Sequence, residues 1–164
     1  MFGQAGTAAA QSAQPTTPQQ TTATYDDWIV RCETRQGPPA QKTCEMVQFT
    51  QLKGRAGVLT QIAIGRPVKA RPVKIVIQVP IGVWLPTGVK LVPDGAGAAL
   101  AATFKRCTPA ACFADVDVKD DVIRKFKTAA KPGKLAFRDA NQKEVSLPVS
   151  FKGFNAAFEA LSKE

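Results

Sequence analysis

From Tyr25 onward, apolar and polar residues alternate with a period of two in short runs separated by turn signals. That period belongs to strands with one buried and one solvated face, and its repetition predicts antiparallel sheet. Strands are expected near Trp28 to Cys32, Cys44 to Thr50, Leu59 to Ile64, Lys74 to Val79, Val89 to Val92, Leu100 to Arg106, Phe113 to Val118, Lys134 to Phe137 and Val145 to Phe151. The breaks between them include Gly37-Pro38-Pro39, Pro93-Asp94-Gly95 and Lys131-Pro132-Gly133, residues that turns require. Two segments change period. After Asp120, the expected N-cap, Val122, Ile123 and Phe126 share a helical face. After Gly153, Phe154, Phe158 and Leu161 fall at i, i+4 and i+7, a stripe expected to dock on the sheet as core. The pattern reads as a mostly β domain, an antiparallel β-sandwich or barrel-like body with two short helices.

The first residues break the pattern. Phe2 to Thr24 carry no charge and are mostly Ala, Gln, Thr, Gly, Ser and Pro, with almost nothing to bury. Residues 1–24 are therefore expected as a disordered leader and residues 25–164 as one domain, a size that suits a single core. The leader also reads as the start of a mature exported chain whose signal was removed and replaced by Met1. No run reaches the roughly 20 apolar residues of a helical membrane span. The longest charge-free one, Ile75 to Val89, is cut by Gln78, Pro80, Gly82, Pro86 and Gly88.

Four cysteines fall as Cys32 with Cys44 and Cys107 with Cys112, and neither pair has the Cys-x-x-Cys spacing of a redox or zinc site. Pairing within each is the simplest connectivity. It implies an oxidising compartment, periplasmic or secreted to the cell surface, with four reduced thiols in a cytosolic protein as the alternative.

Charge and chemistry narrow the function. Lys and Arg number 22 against 13 Asp and Glu, a formal charge of +9 that bears on partners and not on fold. An Arg-Pro-Val-Lys unit occurs twice between Arg66 and Lys74. Its prolines exclude helix and favour an extended stretch, from which Arg66, Lys69, Arg71 and Lys74 are expected to meet a polyanion such as lipopolysaccharide or a sulfated glycan. The alternative is a sheet edge guarded against aggregation. Nucleic acid fits poorly, because no aromatics interleave with the basic residues. The chain has no histidine, which removes Ser-His-Asp and Cys-His arrangements and the commonest metal ligand. Asp115 and Asp117 would share one face of a strand, but alternation with Val116 and Val118 already explains them as its solvated face. No phosphate loop or calcium loop is present. No catalytic residue, metal site or cofactor is expected.

Several segments, taken in order, carry a family resemblance. They are Trp28-Ile29-Val30-Arg31-Cys32, Cys44-Glu45-Met46-Val47-Gln48, Val79 to Val89 with its Pro-Ile-Gly-Val and Thr-Gly-Val, Phe104-Lys105-Arg106-Cys107 with Ala111-Cys112, and Ser150-Phe151-Lys152-Gly153-Phe154. Together they resemble the invasion-associated locus B family over nearly all of Tyr25 to Glu164. Trp84 departs from that pattern, in which a smaller aliphatic residue is expected, and leaves open whether this loop packs inward or is used. The resemblance implies an exported bacterial envelope protein, periplasmic or surface-associated, from a family named for entry into host cells, and it implies no enzyme activity. The expected function is a non-enzymatic binding module that engages an anionic surface or a host or envelope protein. The alternative is a structural or accessory periplasmic protein that stabilises another envelope protein.

Overall fold

The computed structural model describes residues 19–66, 70–95 and 97–164. Among them ten strands form one antiparallel sheet: β1 (Gln19–Tyr25), β2 (Trp28–Arg35), β3 (Gln41–Thr50), β4 (Thr60–Gly65), β5 (Val73–Pro80), β6 (Val89–Val92), β7 (Leu100–Cys107), β8 (Ala111–Val118), β9 (Gly133–Arg138) and β10 (Glu144–Val149). Two helices, α1 (Asp120–Thr128) and α2 (Phe154–Ser162), follow β8 and β10. The strand order is β1-β2-β3-β4-β5-β8-β7-β6-β9-β10. The first five strands are a meander. The chain then runs out to β6, returns through β7 to lay β8 beside β5, and after α1 adds β9 beside β6 and β10 at the far edge.

The sheet curls, so the barrel-like alternative is the one realised. Ser150, just past β10, reaches strands near the opposite end of the order. The Trp28 indole N–H donates to its carbonyl at 3.0 Å and Gln48 Nε2 to the same oxygen at 2.8 Å, while the Ser150 N–H donates to Gln48 Oε1 at 3.1 Å. Gln48 is buried, and this reciprocal pairing satisfies its amide where an unpaired one would be costly. Inside the curl, Val30, Met46, Ile64, Ile75 and Ile77 face Val89, Leu91 and Leu135 in one core. Aromatic side chains close it: Phe154 of α2 lies edge-on to Trp28 at 5.2 Å and to Phe126 of α1 at 5.7 Å. Strict alternation along β5, with Val73, Ile75, Ile77 and Val79 buried, shows why the period-two pattern located the strands.

Four expectations are corrected. The sheet begins at Gln19, so residues 19–24 belong to it and not to the leader. Every residue of β1 from Gln19 to Thr24 is exposed, and the strand is held by register with β2 from Gln19 opposite Thr34 to Tyr25 opposite Trp28. An edge strand needs backbone partners and no apolar face. Lys119, still extended at φ −79° and ψ 156°, occupies the N-cap position and makes no side-chain capping bond. Asp120 is already helical and, with Asp121, places negative charge in the first turn, where the helix dipole favours it. The strand β10 stops at Val149, because Ser150 and Phe151 leave the sheet to meet Trp28, Gln48 and Phe126. In α2 the stripe divides: Phe154 and Ala157 are fully buried, whereas Phe158 and Leu161 are half-buried. The residue before α2, Gly153, has φ +81°, and a β-carbon there would collide with the Tyr25 carbonyl oxygen. Among the described residues no helix is long and apolar enough to cross a membrane.

Candidate functional site

Both expected disulfides are present. Cys32 and Cys44 lie directly opposite each other on β2 and β3, with Cα atoms 4.1 Å apart, and Cys107 and Cys112 do the same on β7 and β8 at 4.0 Å. Each bond crosses one hairpin, the geometry that local spacing favours. Glu164 approaches Cys32 and Cys44, but both sulfurs are committed to the disulfide, so these groups do not form a thiolate metal site.

The doubled basic segment connects β4 to β5. Gly65 pairs with Lys74, so the chain reverses direction between them and the segment is a hairpin loop, not an extended stretch. It is not a guarded sheet edge either, since β4 and β5 are interior strands and the edges are β1 and β10. Arg66 and Arg71 are exposed on this loop and, among the described residues, form no ion pair. Lys69 lies outside the described residues.

Lys74 differs from these three because it lies on β5, opposite Asp117 of β8, on the solvent face of the sheet. Its ammonium is 3.1 Å from Asp117 Oδ1 and 3.7 Å from Asp115 Oδ1. The hydrogen bond to Asp117, assisted by the charge of Asp115 and opposed by partial burial, raises its pKa above the ordinary lysine value. The lysine side of the ion pair is therefore charged at neutral pH, and on the alkaline side its contribution is lost as pH rises through that raised value. Asp115 and Asp117 occupy the solvated strand face expected of them. Their ion pairing with Lys74 leaves the basic segment with less free charge than its four cations imply.

Arg66 also borders a cleft of about 230 Å³ between the β3–β4 wall and the end of α2, floored by Phe158 and Leu161 and rimmed by Lys42 and Glu164. Lys42 and Glu164 form an ion pair across its mouth. This cleft explains why the second half of the α2 stripe is only half-buried.

The Trp84 loop, open in the sequence either to pack inward or to be used, is exposed. Leu52 and Val58 in the β3–β4 loop, and Ile81, Trp84 and Leu85 in the β5–β6 loop, are exposed. The Trp84 N–H donates to the Arg138 carbonyl at 2.8 Å, and Val83 bridges to Asp139, so the loop is anchored by backbone while its large side chains face out. The signal was in the sequence: three large apolar residues stand among Pro80, Gly82, Pro86 and Gly88, where no strand can bury them.

Comparison with known proteins agrees with the architecture. The family model described as Invasion associated locus B (IalB) protein matches residues 28–162. Two invasion protein B homologues of Brucella abortus, from strains 2308 and 9-941, are each 30% identical over 139 residues, covering 84% of this chain and 77% of theirs. The crystal structure of invasion associated protein b from Bartonella henselae superposes with a TM-score of 0.73 at 24% identity, covering 88% of this chain and 99% of that one. On its sequence match and on its fold, the chain belongs to the invasion-associated locus B family.

Proposed function

We propose that this protein is an exported, non-enzymatic binding module of the bacterial envelope, periplasmic or at the cell surface, that engages anionic surfaces through the β4–β5 loop. The observation that carries the reading is the contrast between cations. Arg31 and Lys74, on sheet faces, are matched to carboxylates, whereas Arg66 and Arg71 are exposed together between β4 and β5 and, among the described residues, form no ion pair. Lipopolysaccharide or a sulfated glycan would meet these charges and Lys69 together. The two disulfides and the relatives named as invasion proteins support export. The lack of histidine and the ion pairing of Asp115 and Asp117 with Lys74 support a role without chemistry.

Exposed charges act weakly one at a time and are screened within about 8 Å at physiological salt, so binding should be additive and fall as salt rises. The test is retention on heparin, and capture by lipopolysaccharide, over a salt series. The Arg66→Gln, Lys69→Gln, Arg71→Gln variant should elute at clearly lower salt than the parent, and Lys74→Gln should shift elution less than any single arginine change. Elution of the triple variant with the parent would refute the loop as the site.

A second reading, an accessory protein that stabilises another envelope protein, is favoured by β1. Among the described residues it is an edge strand of seven residues without charge or proline, a chemistry suited to pairing with a partner strand. Recovery of one stoichiometric envelope protein, independent of salt, would support this reading over the first.

A further inference from the structure

The β3–β4 and β5–β6 connections lie at the same end of the sheet, because β3 ends beside the start of β4 and β5 ends beside it in turn. The β4–β5 loop with Arg66 and Arg71 lies at the other end. At the first end the turns stand clear of the body: a β-carbon built on Gly54, Gly57 or Gly82 would meet nothing within 4 Å. Beside those glycines Ile81 is 56% exposed, Leu85 47% and Trp84 36%, with Leu52 and Val58 on the neighbouring turn. Each set borders its own groove. One groove runs from Leu52 and Val58 to Pro80 and Ala110, and another joins Leu85 to Phe104 and Cys107.

The charged residues that line these two grooves have one sign. Arg55 lines the first groove, Lys105 and Arg106 line the second, and no acidic residue lines either. Lys105 is the extra residue of a bulge in β7, and Arg106 rests on the Phe113 ring with its guanidinium carbon 4.4 Å from the centroid. The nearest acid in the loop's backbone network, Asp139, turns its carboxylate to the N–H groups of Asn141 and Lys143.

We propose that this tip is a membrane wedge, in which Ile81, Trp84 and Leu85 enter the interface of an anionic phospholipid bilayer while Arg55, Lys105 and Arg106 contact its headgroups. Three facts select a bilayer over a protein face. The large side chains crown protruding turns and do not line a flat patch. A tryptophan stands among them, and its ring suits the headgroup region. Cations flank the apolar crest, supplying the two signals, apolar and electrostatic, that stable surface binding requires. The inference does not rest on the β4–β5 loop, which faces away from the tip.

The test uses the full chain and vesicles of phosphatidylcholine, alone or mixed equally with phosphatidylglycerol. Trp28 is buried and hydrogen-bonded to Ser150, so Trp84 is the tryptophan whose emission should respond. The parent should sediment with the mixed vesicles, shift its emission to the blue and be quenched by brominated lipid. The Ile81→Ser, Trp84→Ser, Leu85→Ser variant, with an unchanged melting curve, should bind at least about tenfold less, since its apolar burial is gone. The Arg66→Gln, Lys69→Gln, Arg71→Gln variant should sediment like the parent. The wedge is refuted if the parent fails to sediment with the mixed vesicles or does so without a blue shift. Parent-like binding by the serine variant, or loss of binding by the β4–β5 loop variant, refutes it equally.

Discussion

Phe154 and Phe158 sit one helical turn apart on the same stripe of α2, and periodicity alone assigns them the same role. Phe154 is 0% exposed and lies within 5.2 Å to 6.1 Å, centroid to centroid, of Trp28, Phe126, Phe151 and Phe158. Replacing it with Ala removes a fully buried ring and leaves a cavity enclosed by other aromatics that cannot collapse together. Phe-to-Ala changes of this kind cost about 3 to 5 kcal/mol, and the loss of edge-on pairs worth about 0.5 to 1.5 kcal/mol each places this one toward the upper end. Phe158 is half-buried, stacks on Phe154 on one side and carries Lys127 5.0 Å from its ring centroid on the other. Its removal opens an existing cleft and does not create an enclosed void, so the cost is about 1 to 2 kcal/mol, roughly half a phenylalanine transfer. Urea unfolding of both variants, with equal m-values, gives the comparison directly. If Phe158→Ala destabilises as much as Phe154→Ala, the cleft closes in solution and the division of the stripe is wrong.

Other predictions follow from the same contacts. Non-reducing peptide mapping should find Cys32 bonded to Cys44 and Cys107 to Cys112, and chain-entropy loops of 12 and 5 residues should make reduction cost about 3 and about 2 kcal/mol. Crossed pairs or free thiols would contradict it. Gly153→Ala should lower stability by at least about 2 kcal/mol, since a left-handed alanine costs about 1 to 2 kcal/mol before its clash with the Tyr25 carbonyl is counted. A melting temperature equal to the parent's would show that the backbone there relaxes freely. Truncation through Thr24 removes most of β1 and opens the edge of β2, so the melting temperature should fall by more than about 3 °C. No change would mean that β1 contributes no net pairing energy.

The strands β2, β5, β6 and β9 were legible because each keeps one face in the core, and alternation records that directly. The sequence of β1, Gln-Gln-Thr-Thr-Ala-Thr-Tyr, records nothing of the kind, since an exposed edge strand is held by its backbone and only its threonines hint at extended structure. The disulfides were legible because each joins hairpin neighbours. The partners of Lys74 were not: Asp115 and Asp117 lie about 40 residues away, and β8 reaches β5 only because β6 and β7 are placed outside it. Gln48 was hidden for a related reason, since the groups that satisfy it belong to a segment about 100 residues later. The apolar residues of the β5–β6 loop were assigned to no strand, and Trp84 left open whether the loop packs inward or is used; with Pro80 and Gly82 spent on the turn, Ile81, Trp84 and Leu85 stay exposed.

The positions of the two disulfides connect stability to both candidate surfaces. Cys44 lies in the wall of the cleft that Arg66 borders, and Cys107 lies in the wall of the groove that Leu85 overhangs. Strands of six to eight residues separate these ends by roughly 20 Å, more than two screening lengths at physiological salt, so charges at one end barely influence the other. Each hairpin is thus fixed by its own crosslink at the end where it meets solvent, and ordering a loop before it binds lowers the entropy lost on binding. On this argument the crosslinks do more than compensate for a modest core. They hold two independent surfaces in shape, and breaking one should weaken the surface beside it before it unfolds the domain.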